Sequence, residues 1–330
     1  MPHRRPPLAL SLLLVPALLV RCTSTPELQP LSAKERAEIE ALRRHDARDG
    51  IVTDRGTLFV SLDQNLRKWR ELCARTDVSD MDQRRSLEVV LTTQVYWNFD
   101  TIISELEHGT DPDHKVTAAA AIGWSRIPAP DEPGGDPAFP AVHHRAVAPL
   151  LAIIGSGRDE LVVNALLSLA RLRDPATPRD LLVELMVKHH HADVRGNAAY
   201  AISELASPAD GVLLPALFSS LSDPSPEVRL HVLKALGRIG DKAAVAAMIE
   251  RLQRDDTPLV RACAAMELGK LGDWSTVSPL IDGLNSDAPL LAFQCHHALV
   301  RLTGQQELKG YSAWREWWNG AKENSERIRG

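Results

Sequence analysis

The residues with the most chemical potential in this 330-residue chain are its histidines and cysteines. The histidines gather as His143-His144, His189-His190-His191 and His296-His297. Imidazole is the commonest metal ligand and works as an acid or base near neutral pH, so each group needs an explanation. Neighbours on a helix project about 100° apart, so a doublet rarely chelates with both members. A composite metal site would have to draw on different turns, with His191 and Asp193 as the nearest pair. No recognised ligand spacing surrounds them. His189 to His191 close an apolar helical segment, where the helix dipole favours cations. No HExxH, GxSxG elbow or Gly-rich phosphate loop occurs. Of the four cysteines, Cys22, Cys73, Cys263 and Cys295, none stands in a CxxC spacing, which argues against structural zinc. Cys263 and Cys295 sit on apolar helices and read as small core hydrophobes. The expectation is no catalytic residue, no metal and no cofactor.

The elements that position these residues follow from a repeat. Hydrophobic residues make up 44% and aromatics only 5%, a balance that favours packed helices over β-sandwiches. Residues 223–241 (DPSPEVRLHVLKALGRIGD) and 255–273 (DDTPLVRACAAMELGKLGD) share an Asp-rich turn, a Val-Arg pair and a helix ending in Leu-Gly-x-Φ-Gly-Asp. With Val228 as anchor, small or apolar residues recur four, five, eight and eleven positions on, one face of a helix. The same pattern starts at Val116, Leu161, Val194, Val260 and Leu291, and only His296 breaks it. Each anchored helix B follows a second apolar helix A, such as 146–155, 211–221, 243–252 and 275–284. One hairpin cannot bury both apolar faces, whereas stacked neighbours can. A Pro/Gly-rich insertion, 128–140, separates the first two copies.

The segments VRLHVLKALGRIGD and VRACAAMELGKLGD resemble HEAT repeats, in the short HEAT-like form first named from phycobiliprotein lyases. The resemblance spans about residues 95–304. It implies an all-α, right-handed α-solenoid of about six stacked helical hairpins with helical caps, an architecture used mainly as a scaffold. Enzymes of this class set limits. Deoxyhypusine hydroxylase holds iron with His-Glu pairs, and this chain has no His-Glu dipeptide. HEAT-like DNA glycosylases need a positively charged concave face, and here 43 acidic residues outnumber 38 basic ones. Residues 32–94 form the N-terminal cap, with a capping-box start at Ser32 and Glu35. Residues 305–330 form the C-terminal cap. Trp314, Trp317 and Trp318 share one face of its helix, either as an aromatic binding patch or, as expected, as a lid on the last repeat. Leu302-Thr303-Gly304 followed by a Trp-rich helix is also similar to the tails of exported bacterial HEAT-like proteins.

The N-terminus carries an address. Residues 1–22 (MPHRRPPLALSLLLVPALLVRC) combine Arg4 and Arg5 with an uncharged apolar run from Leu8 to Val20, too short for an ordinary membrane span but right for a signal peptide. Leu19-Val20-Arg21-Cys22 resembles a bacterial lipobox, with Arg21 where Gly, Ala or Ser is usual. That resemblance implies lipidation at Cys22 and a polar tether over 23–31. Bilin lyases share the repeat but work beside cytosolic bilin proteins, which an export signal contradicts.

The expected function is a non-catalytic scaffold in the bacterial cell envelope, monomeric, lipid-anchored and holding a protein rather than nucleic acid. The alternative is an accessory or catalytic subunit using a histidine or metal site, or a bilin lyase-like activity. B helices line the concave face of HEAT stacks, so the contact residues are sought there. Positions three, six and ten after each anchor should point off the core. They supply Tyr200, His231, Lys234, Met266 and His297 as a mixed patch, with Arg126, Arg171, Arg238, Lys270 and Arg301 as a basic ridge. The ridge has a local reading too, because cations in a last helical turn are favoured by the dipole. Arg195, Arg229 and Arg261 are expected to form an inter-repeat ladder with turn acids such as Asp193, Asp223 and Asp255.

Overall fold

A computed structural model describes residues 54–75, 78–127 and 141–329. The export signal with Cys22, the tether, the Ser32/Glu35 capping box and the insertion 128–140 lie outside the described residues. Every regular element among the described residues is helical, so the fold is all-α. The chain divides into two compact units, residues 1–179 and 180–330.

In the first unit, α1 (Arg55–Cys73) packs on α2 (Val78–Trp97), α3 (Phe99–His108) on α4 (Pro112–Ala121), and α5 (Val147–Ile154) on α6 (Asp159–Leu172). The second unit begins with α7 (Arg179–Lys188) and α8 (Ala192–Leu205). Three hairpins follow: α9 (Leu214–Ser220) with α10 (Pro226–Ile239), α11 (Val245–Arg254) with α12 (Pro258–Leu271), and α13 (Val277–Gly283) with α14 (Pro289–Thr303). Helix α15 (Gly310–Arg329) closes it against α13. The six anchored helices are α4, α6, α8, α10, α12 and α14. Within the second unit α8, α10, α12 and α14 stack in series, each on the next.

Local chemistry explains where these helices begin and end. Pro226, Pro258 and Pro289 start α10, α12 and α14, where a missing N–H leaves nothing unsatisfied. Gly240, Gly272 and Gly304 end the same helices in the left-handed region at φ 75°, 71° and 75°. Helix α6 ends at the equivalent place on Arg173, which adopts φ 49° without being glycine. The core is the predicted stripe: Val232, Leu233 and Leu236 on α10, and Ala264, Ala265 and Leu268 on α12, are all fully buried. His296, the one exception to the stripe, accepts a hydrogen bond at its Nδ1 from the indole N–H of Trp314 at 3.3 Å. Trp314 is itself fully buried, so this member of the tryptophan set covers the core, while Trp317 and Trp318 are half-buried.

The first anchored helix departs from the others. After Ala121 it tightens into a 3₁₀ turn, Ile122–Ser125. The cause is Ser168 of α6. Its Oγ donates to the Ala119 carbonyl and accepts from the Gly123 N–H at 3.1 Å. Those are the two groups that an α-helix would join directly, so the hydroxyl is wedged into the ladder. A Cβ at Gly123 would lie 2.7 Å from the Ser168 Cα, so only glycine admits the wedge.

Candidate partner-binding face

The positions predicted to point off the core separate into three kinds. The row three residues after each anchor is buried. Asn164, Asn197, His231, Cys263 and Gln294 are all 7% exposed or less. Within the second unit the reason is lateral stacking: α10 and α12 each have a B helix on both flanks as well as their own A helix. Cys263 shows the contact, its Sγ lying 3.7 Å from the Leu230 carbonyl oxygen of the preceding B helix. The expectation that His231 offers its ring to a partner is therefore corrected. It is 4% exposed, its ring lies 5.0 Å from that of Tyr200, and burial together with nearby Lys234 holds its pKa well below the ordinary imidazole value.

The row six residues on reaches the surface in the second unit. Tyr200, Lys234 and Met266 are half-buried and His297 is exposed. His297 packs against the exposed ring of Phe293 with centroids 4.2 Å apart.

The row ten residues on is engaged within the chain. Arg238 donates to the carbonyl of Glu204 at 2.7 Å and lies 3.4 Å from its carboxylate. Lys270 donates to Glu267 at 2.8 Å. Arg301 is exposed. In the first unit Arg126 is half-buried, and Arg171 lies between two indoles, 4.5 Å from the Trp69 ring and 4.0 Å from that of Trp124. Cation–π contact and carboxylates of the same chain thus meet part of the predicted basic ridge.

The Arg ladder forms at two rungs. Arg195 grips Asp223 with Nε–Oδ2 at 2.8 Å and a second N–H at 3.1 Å. Arg229 grips Asp255 with two bonds of 2.9 Å and also reaches Asp256. This bidentate fork raises the Arg229 pKa and ties successive hairpins together. The third position differs: Arg261 donates to the Leu252 carbonyl of its own hairpin at 2.9 Å. Asp193 is not part of the ladder. Its backbone N–H is accepted by His191 Nδ1 at 3.3 Å, so His191 acts as the N-cap of α8.

Glu267 was missed in the sequence, although the repeat marks it. Seven residues after the other five anchors stand Gly123, Ser168, Ala201, Ala235 and Ala298. A glutamate in that row has to find room, and Gly237 of α10 provides it. A Cβ at Gly237 would fall 2.1 Å from Glu267 Oε2. The side chain is 2% exposed, and burial raises its pKa against the pull of Lys270, Lys234 and Arg238. The same physics acts on two of the thiols. Burial pushes Cys73 up to about 11 and Cys295 up to about 12, so neither is a thiolate near neutral pH. Among the described residues no group of three His, Cys, Asp or Glu side chains could hold a metal ion.

With this geometry in view, comparison with known proteins locates the repeat. Residues 213–299 match the HEAT repeats family. The match covers α9 to α13 and most of α14, the most regular part of the stack. No curated protein matches the chain. Two of the solved structures that align with it illustrate the likeness. One is human deoxyhypusine hydroxylase in complex with glycerol, at 15% identity and a TM-score of 0.36, covering 76% of this chain and 98% of that one. The other is the complex of CpcE and CpcF of phycocyanin lyase from Nostoc sp. PCC7120, at 16% identity and a TM-score of 0.41, covering 78% of this chain and 92% of that one. At TM-scores below 0.5 nothing about this chain follows from either.

Proposed function

We propose that this chain is a non-catalytic, protein-binding HEAT-like scaffold, exported to the bacterial cell envelope and tethered there by a lipid on Cys22. One observation carries the reading. The B-helix face of the second unit presents Tyr200, Lys234, Met266 and His297, an aromatic, a cation, a thioether and an imidazole, on a rigid helical stack. Interfaces favour aromatics and methionine at their centres, and a rigid surface loses little entropy on binding. The buried parts of the same helices are taken up by packing and by bonds between repeats, which leaves this face for recognition.

The test is a pull-down from envelope extracts with the tagged chain and with a Tyr200→Ala, Lys234→Ala, His297→Ala variant. Partner recovery should fall by at least about tenfold, as expected when two or three central contacts worth about 1 kcal/mol each are truncated. Unchanged recovery would remove this face from consideration.

A further inference from the structure

Glu267 and the cations around it form a cluster that the repeat does not require. Lys270, 42% exposed, is held by the buried Glu267 carboxylate, and Arg238, 40% exposed, is held by Glu204. Lys234 acts on Glu267 from α10, is half-buried, and makes no hydrogen bond or ion pair among the described residues. The Lys234 ammonium is thus a cation on this face that no carboxylate of the described residues contacts. A carboxylate arriving from outside would supply that contact. The flanking cations are already ordered by internal acids, so little side-chain freedom remains to be lost. The chain as a whole is acidic, at a net −5, so attraction to another acidic chain needs a local cluster of cations such as this one.

We propose that the face around Glu267 recognises an acidic segment of a protein partner, one carboxylate of which seats on Lys234 with Arg238 and Lys270 beside it. This rests on the reading of the B-helix face as the contact surface. Fluorescence anisotropy of the full chain with fluorescein-labelled deca-glutamate tests it, with deca-lysine and a ten-nucleotide single-stranded DNA as comparison probes. Deca-glutamate binds best, and added salt weakens it. Lys234→Met weakens it about tenfold, the loss of one charge-assisted hydrogen bond. Lys234→Gln repeats that loss with an unchanged melting curve, and Arg254→Met on α11 alters binding less than about twofold, as for an exposed charge outside the contact.

Failure of deca-glutamate to bind, tighter binding of the DNA, or an equal loss from Arg254→Met would overturn the proposal. In-cell crosslinking separates it from the scaffold reading. Capture that is lost on replacing Tyr200 and His297 but survives Lys234→Met leaves the scaffold and sinks the acidic segment. Capture indifferent to all three replacements sinks both.

Discussion

Two buried ionisable side chains of the second unit sense pH in opposite directions. His231 has a folded pKa well below its ordinary 6.5, so the unfolded chain binds more protons. Its contribution to stability is complete above pH 6.5 and is lost as pH falls, at up to about 1.4 kcal/mol per pH unit. Glu267 has a folded pKa above its ordinary 4.5, so its contribution is complete below pH 4.5 and fades as pH rises through the folded value. Urea titrations at pH 5 and pH 7.5 should show a wild-type loss at pH 5 that shrinks in His231→Asn. Glu267→Gln should help more at pH 7.5 than at pH 4. A third residue is strained in another way. Arg173 occupies a left-handed turn that glycine fills in three other copies. Arg173→Gly should raise stability by about 1 kcal/mol, read as a shift in denaturation midpoint. Cap-row strain of this kind is visible in the repeat alignment, because Gly240 and Gly272 show what the turn requires. The burial of His231 is not, since it depends on how closely two B helices approach.

At the scale of elements, the Arg229–Asp255 fork is the strongest predicted link between successive hairpins. Arg229 and Asp255 have side-chain exposures of 8% and 0%, so removing Arg229 leaves a buried charge with only the longer Arg251 pair, at 3.8 Å, and the Thr257 N–H. Arg229→Met should cost about 3–5 kcal/mol, and Arg229→Met with Asp255→Leu should recover much of it. A recovery of nothing in the double variant would show that the two side chains act independently. The ladder was legible because its residues recur at fixed offsets from the anchor. Its break at Arg261 was not, because the choice between the Leu252 carbonyl and a turn acid is made by local geometry. The same holds for the 3₁₀ turn in the first copy. Gly123 and Ser168 lie 45 residues apart in sequence, and nothing in either helix alone announces that a hydroxyl will enter the other's backbone ladder.

For the whole molecule, the prediction concerns address. Mature protein from the native host should begin at Cys22, with an N-terminal peptide that carries added acyl mass by mass spectrometry. Cys22→Ser should release the protein from membranes at low salt, because the tether is then missing. No helix among the described residues is long and apolar enough to cross a membrane, so the proposed attachment rests on that lipid. An unmodified N-terminus starting at Met1 would remove both the anchor and the envelope from the account.

The sequence by itself determined the helical hairpins, their order and their core stripe. A 3.6-residue period and a 31–34-residue repeat are properties of the chain that survive any small rearrangement. It also placed Trp314 on the lid and Arg195 and Arg229 on the ladder, because those roles repeat or terminate a pattern. Which polar side chains reach the surface was decided only by tertiary structure. Stacking the B helices of the second unit on one another buried the row of Asn197, His231 and Gln294 and left the next row at the edge. Side-chain reach then settled the cations: Lys270 found an acid one turn back, Arg238 one on the preceding B helix, Arg171 two indoles, and Lys234 was left half-buried with no acid in contact. Periodicity names a helix face, but only the distance between helices says how much of that face remains to bind anything.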